Sequence, residues 1–157
     1  MKKVRVISTA AMLALLSVGS MTFTSCTPED EICPVGMEGK KCDQEVRANY
    51  YNTYRGNATD NDGGTYTNWA LRFSNGGTDA TKLKLEVLDN VNANQFLFTA
   101  TLKTNTTYEI TPTTISGFNY TGQGSISGTN ASFTLTEVDP SGATQTYIYS
   151  FNNFIKE

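Results

Sequence analysis

The 157-residue chain contains no histidine, and this absence excludes several kinds of site. A Ser-His-Asp triad, a histidine-ligated zinc or haem centre and histidine-based acid–base catalysis all need that side chain. Charged residues are scarce at 17%, and the formal net charge is −3. A chain with this negative balance lacks the basic surface that attracts nucleic acid, so we expect no nucleic-acid partner.

Cysteine is also rare, with three residues, and the carboxylates of the second half are spread over predicted turns. This distribution supplies neither a matched acid and base nor an activated nucleophile. We therefore expect no catalytic residue, no metal site, no cofactor and no enzyme activity.

The N-terminus has the pattern of a secretory signal peptide. Lys2, Lys3 and Arg5 form a basic start, the stretch 10–18 is mostly apolar, and small residues follow. These features predict a signal peptide over residues 1–25. The alternative is a transmembrane anchor, which the many Ser and Thr residues of this stretch disfavour.

The four residues Phe23-Thr24-Ser25-Cys26 resemble a bacterial lipobox of the relaxed kind typical of the Bacteroidota. The resemblance implies cleavage before Cys26, a lipid on its sulfur and acylation of the new amino terminus. Two or three acyl chains make a durable membrane anchor where one would be marginal. The alternative is a structural cysteine beside an ordinary cleavage site.

An acidic run, Glu29, Asp30 and Glu31, lies within five residues of Cys26. It resembles the signal that sends Bacteroidota lipoproteins to the outer leaflet of the outer membrane. The resemblance implies a lipid-anchored protein of the outer membrane exposed at the cell surface. The alternative is an ordinary polar tether.

With Cys26 lipidated, Cys33 and Cys42 remain, and we expect them to pair. Their segment, C-x-x-G-x-x-G-x-x-C, resembles the last disulfide loop of an EGF-like domain, in which glycines take positive φ. We assign residues 26–45 to an acidic tether with this loop. The loop acts either as a stapled spacer, which we favour, or as a recognition element. Two cysteines cannot fill a zinc site.

Residues 46–157 have the period-two hydrophobic pattern of antiparallel strands, after one short helix expected between Asp43 and Tyr51. Leu83, Leu85 and Val87, for example, alternate with lysines and a glutamate. The fold class is therefore all-β: an antiparallel meander of about eight strands forming a small barrel or sandwich, preceded by the disulfide-stapled tether.

Glycine and asparagine clusters separate these strands. The segment 60–64, Asp-Asn-Asp-Gly-Gly, has alternating oxygen ligands, but a hairpin turn fits it better than a calcium loop because position 71 is leucine rather than glutamate. Gly117, Gly122, Gly124 and Gly128 are expected to mark bends or bulges.

The whole layout resembles small Bacteroidota surface lipoproteins, in which a single EGF-like cysteine loop precedes a lipocalin-like β domain. In the β domain the resemblance depends on the segment 122–128, Gly-Gln-Gly-Ser-Ile-Ser-Gly, and on Asn52-Thr53-Tyr54 at the position where lipocalins begin. It implies an architecture more than an activity.

Most aromatic residues with period-two spacing belong in a core, but two or three are expected to be exposed. Such rings would suit a glycan or lipid ligand. Tyr120, beside Asn119 in a glycine-rich stretch, is the preferred candidate for a ligand-binding residue.

Three functions fit these features. The first is a surface-exposed, non-catalytic binding or accessory lipoprotein held by the lipid on Cys26, with an outer-membrane protein as its partner. The second is a lipocalin-like carrier of a small apolar ligand in the envelope. The third is a structural lipoprotein that faces the periplasm.

Overall fold

The computed structural model describes residues 32–140 and 146–157. The predicted signal peptide, the lipidation site Cys26 and the acidic residues Glu29, Asp30 and Glu31 lie outside these ranges, so those predictions stay predictions. Within the described ranges, no helix has the length and apolar character needed to cross a membrane.

The described chain consists of strands and one short 3-10 helix. Two two-residue strands pair with each other: β1 Met37–Glu38, which lies inside the disulfide loop, and β2 Gln44–Glu45, which follows it. The helix Val46–Tyr50 comes next. The remaining strands are β3 Thr53–Asp60, β4 Thr65–Asn75, β5 Lys82–Leu88, β6 Asn94–Leu102, β7 Thr107–Ile110, β8 Thr113–Ile115, β9 Phe118–Ser127, β10 Asn130–Val138 and β11 Thr146–Lys156.

Eight of these strands close into an antiparallel barrel. The ring runs β3-β4-β5-β6-β7-β9-β10-β11, and it closes where Phe151 of β11 pairs with Ala58 of β3. Each strand thus pairs with the next one along the ring, so the predicted meander is confirmed. Of the two predicted architectures, the barrel is correct.

The inward face of the strands fills the barrel with apolar side chains. Leu83, Leu85 and Val87 are fully buried, whereas the intervening lysines and glutamate are partly exposed. Aromatic rings contact one another along the barrel: Phe133 lies 5.6 Å from Phe151 and 6.0 Å from Tyr108, ring centroid to ring centroid. An eight-stranded barrel is just wide enough to be filled in this way.

Two of the glycines expected to mark bends have a different role. Gly122 and Gly124 lie within β9 and face the interior, where a Cβ at Gly122 would be 2.8 Å from the ring of Phe133. They make room for large neighbours. Gly117 and Gly128 do lie in turns, with φ of 91° and 59°.

Asparagine residues, rather than Gly122 and Gly124, lie at two bends of the barrel. Asn68 and Asn153 have positive φ of 59° and 55°. They lie at the register shifts between β3 and β4 and between β11 and β3. Asparagine tolerates the left-handed conformation better than other residues with a Cβ, so both positions form bulges.

One end of the barrel is covered by the N-terminal segment, and we call it the capped end. The predicted disulfide Cys33–Cys42 is present, with 5.2 Å between the Cα atoms. Gly36 and Gly39 take positive φ of 90° and 91°, as predicted for this loop. The N–H of Gly36 donates to the side chain of Asn105 at 2.9 Å, so the loop packs against the barrel.

Arg47 fixes the segment that follows the loop. Its side chain is 2% exposed, and Nη1 donates to the carbonyl oxygens of Gly77, Asp79 and Lys82 at 2.7–2.9 Å. Its Nε donates to Glu45 at 2.8 Å. One guanidinium therefore holds the helix against the loop that joins β4 to β5.

The helix expected between Asp43 and Tyr51 is shorter than predicted. Gln44 and Glu45 belong to β2, and the helix covers only Val46–Tyr50 in the 3-10 form. The N–H of Val46 donates to the carbonyl oxygen of Gly36, which ties the start of the helix to the disulfide loop. Because the chain must also turn into β3 at Thr53, a full α-helix has no room.

Candidate functional site

Half-buried aromatic rings gather at the end opposite the cap, which we call the aromatic end. The β3–β4, β5–β6 and β8–β9 turns lie here because alternate turns of a meander share one end. The ring centroids of Tyr66 and Trp69 are 5.0 Å apart, and those of Tyr66 and Tyr149 are 6.0 Å apart. The half-buried rings are those of Tyr66, Trp69, Phe96, Phe118 and Tyr149.

The carboxylate of Glu137, on β10, lies among these rings. It follows Phe133 and Leu135 on the inward face and is half-buried. The hydroxyl of Tyr149 donates to its Oε2 at 3.4 Å. No basic side chain of the described residues forms an ion pair with Glu137. The aromatic end thus places the negative charge of Glu137 among polarisable rings.

The tyrosines around Glu137 keep their protons to unusually high pH. Burial, and then hydrogen bonding to Glu137, raises the pKa of Tyr120 to about 12. Burial, and then the negative charge of Glu137, also raises the pKa of Tyr149. Both hydroxyls are therefore proton donors at neutral pH rather than candidate bases.

The segment 60–64 forms the β3–β4 hairpin turn, as predicted. The Oδ1 atom of Asp60 accepts from the N–H groups of Asp62 and Gly64, and Oδ2 accepts from the hydroxyl of Tyr66 at 2.8 Å. These bonds lower the pKa of Asp60, the Tyr66 bond most strongly. Within the described ranges, no group of three metal-ligating side chains occurs.

The expected exposure of Tyr120 is wrong. Its side chain is 5% exposed, and its ring lies 5.3 Å from Phe96 and 6.0 Å from Phe98. Because side chains alternate between the two faces of β9, Tyr120 points inward. Asn119 is exposed, but it has no aromatic ring that could stack on a ligand. A ligand-binding role of either residue stays a prediction.

The wider expectation of two or three exposed aromatic residues is also wrong. Of the ten candidates, four are buried and six are half-buried: Tyr50, Tyr54, Tyr108 and Tyr120 in the first group, and Tyr51, Tyr66, Trp69, Phe118, Tyr147 and Tyr149 in the second. A small barrel needs most of its large side chains in the interior, which leaves only ring edges at its ends.

A gap in the strand ladder opens beside the aromatic end, and we call it the seam. Strand β6 pairs with β7 only over Ala100, Thr101 and Leu102. The N–H of Thr111 donates one more bond to the carbonyl oxygen of Thr99 at 2.8 Å. Beyond this bond, β8 pairs with β9 alone in the part of the chain that the structure describes. The first half of β6, which pairs with β5 on its other side, and the outer edge of β8 thus have no partner strand at the seam.

Pro112 accounts for this break. It lies between β7 and β8 and has no N–H to donate to β6. A groove of about 410 Å³ lies over this region and includes Leu97, Thr99 and Thr113 in its lining. Leu97 is 47% exposed, an unusual value for a leucine within a strand.

A second groove, of about 430 Å³, lies over β7, β9 and β10. Its walls include Gln123, Ser125 and Thr134, together with Lys103 and Glu109, whose charged atoms are 3.0 Å apart. Polar residues of this kind are typical of a solvated strand face.

Comparisons with known proteins give a likeness among solved structures alone. Neither the protein-family models nor the curated proteins include a match. Among solved structures, a chain of Bacteroides fragilis described as a candidate outer membrane protein is similar in structure, with a TM-score of 0.43 and 14% identity. The alignment covers 69% of this chain and 52% of that chain. The present chain therefore spans about half the length of that protein.

Proposed function

We propose that this protein is a lipoprotein of the outer membrane, exposed at the cell surface, whose barrel is a non-catalytic binding or accessory module. The observation that carries the proposal is the lipobox-like Phe23-Thr24-Ser25-Cys26 after a signal-peptide pattern. Glu29, Asp30 and Glu31 follow at the positions where an export signal would lie.

The disulfide Cys33–Cys42 supports this compartment. Disulfides persist in the oxidising cell envelope and are rare in the reducing cytoplasm. The disulfide loop contacts the barrel at the capped end, at Asn105. The aromatic end, with its rings and Glu137, is the end of the barrel opposite this loop.

The filled interior favours binding at the surface over carriage inside the barrel. Rings run in contact from Trp69 through Phe151 and Phe133 to Tyr108, at centroid distances of 5.6–6.3 Å. A carrier of a small apolar ligand needs an enclosed apolar cavity in this place. The non-catalytic assignment is supported by the surroundings of Glu137, whose Oε2 atom accepts from the hydroxyl of Tyr149.

The anchor is tested by metabolic labelling with an alkyne analogue of palmitate. We expect the wild type to be labelled and to sediment with membranes, because its acyl chains hold it there. The variant Cys26→Ser should be unlabelled. A matched double variant, Cys33→Ser with Cys42→Ser, should remain labelled. Label on Cys26→Ser, or none on the wild type, would contradict the anchor.

A further inference from the structure

The seam between β6 and β8 has the features of a site for an added strand. Leu97 and Thr99 lie two residues apart on β6, so their backbone N–H and C=O groups point to the same side. The carbonyl oxygen of Thr99 accepts from Thr111, which lies on the β7 side. The N–H and C=O of Leu97 therefore point into the seam.

The facing edge of β8 offers a matching pair of groups. Ser116 and Gly117, with φ of 53° and 91°, form a two-residue turn that pairs Ile115 with Phe118. In such a hairpin the closing pair is hydrogen-bonded, so the groups of the preceding residue point away from the partner strand. The N–H and C=O of Thr114 thus point away from β9, towards the seam.

We propose that the seam binds an extended segment of a partner polypeptide, which adds as a strand along the free edge of β6. An added strand supplies the N–H and C=O groups that Leu97 and Thr114 lack, which neither a lipid tail nor a sugar does in that geometry. Its apolar side chains on one face would cover Leu97, the exposed leucine beside the edge.

The carboxylates of the aromatic end indicate a second property of the partner segment, its charge. The turns and strand ends at the aromatic end carry carboxylates, whereas most of the lysines lie towards the capped end. The carboxylates are Asp60, Asp62, Asp89, Glu137 and Asp139. Of the cations, Lys84 lines the groove over the seam and is paired with Glu86 at 3.0 Å, and the guanidinium of Arg55 is held by Glu157 and Asn92. The partner segment is therefore expected to combine alternating apolar residues with flanking basic residues.

This proposal rests on the binding role proposed above but not on the lipid anchor or on surface exposure. Its test uses the full chain purified in detergent, so its failure leaves the anchor experiment unaffected. The probe is the synthetic peptide Lys-Val-Thr-Val-Thr-Val-Lys. A second copy of this peptide is N-methylated at alternate residues, which removes the donors on one edge.

The first readout is amide hydrogen exchange at individual residues. In the free protein, the amides of Leu97 and Thr114 should exchange at least about 100-fold faster than that of Leu85, which lies in the closed ladder. The unmethylated peptide at millimolar concentration should slow both amides, and the methylated peptide should not. Full protection in the free protein, or no protection by the peptide, would overturn the proposal.

Two substitutions at one position provide the matched control. Leu97→Pro removes the N–H that points into the seam, whereas Leu97→Ala keeps it and removes only the side chain. The proline variant should bind the peptide at least about tenfold more weakly than the alanine variant. Equal binding by both variants, each with a wild-type circular dichroism spectrum, would show that the peptide binds elsewhere.

Discussion

Replacing Arg47 with methionine should lower the free energy of unfolding by about 3 kcal/mol or more. Methionine fills much of the same volume but cannot donate to the carbonyl oxygens of Gly77, Asp79 and Lys82. Glu45 would also lose its 2.8 Å partner. The cost is therefore that of four hydrogen bonds donated by one charged group, which is itself 2% exposed.

Urea unfolding followed by the fluorescence of Trp69, the chain's one tryptophan, measures this cost. Arg72→Met is the matched control, because the side chain of Arg72 is 45% exposed and its bond to Glu86 is long, at 3.4 Å. An exposed ion pair contributes at most about 1 kcal/mol. Equal midpoints for the two variants would show that Arg47 does not hold the cap.

Replacing Gly124 with alanine should destabilise the barrel by about 3 kcal/mol. The new Cβ would lie far inside contact distance of the Ser132 carbonyl oxygen and the Tyr108 hydroxyl. The carbonyl oxygen of Ser132 belongs to the backbone and cannot move without breaking the pairing of β9 with β10. The hydroxyl of Tyr108 is held in place because it donates a hydrogen bond to that carbonyl oxygen at 3.0 Å.

The control for this substitution is Gly128→Asn. Gly128 has φ of 59°, a conformation that asparagine accepts, and no atom lies near its Cβ position. We expect thermal unfolding to show a loss of less than about 1 kcal/mol for this variant. A similarly small loss for Gly124→Ala would mean that β9 can move away from β10, against the close packing described here.

Period-two patterning predicts the antiparallel meander, because each strand has one buried face, but it leaves the choice between barrel and sandwich open. Leu83, Leu85 and Val87 illustrate how directly alternation identifies the inward side. The same alternation contained the signal for Glu137, which continues the inward series after Phe133 and Leu135. The signal was missed because carboxylates were assigned to turns by default.

Other features depend on contacts that no local pattern reveals. Arg47 resembles an ordinary surface residue until the β4–β5 loop folds over it. The sequence places Gly124 at a bend, because it does not distinguish a glycine that makes room for a ring from one that adopts positive φ. The seam is an intermediate case, since Pro112 identifies the break in the ladder but not which strands it leaves unpaired.

Surface exposure is the central claim, and amine labelling of intact cells tests it most directly. A membrane-impermeant biotin ester should reach Lys103, whose side chain is 54% exposed, and label the wild type equally before and after lysis. A variant with alanine at Glu29, Asp30 and Glu31 should be lipidated but labelled only after lysis. Wild-type protein that is labelled only after lysis would contradict the account and indicate a barrel that faces the periplasm.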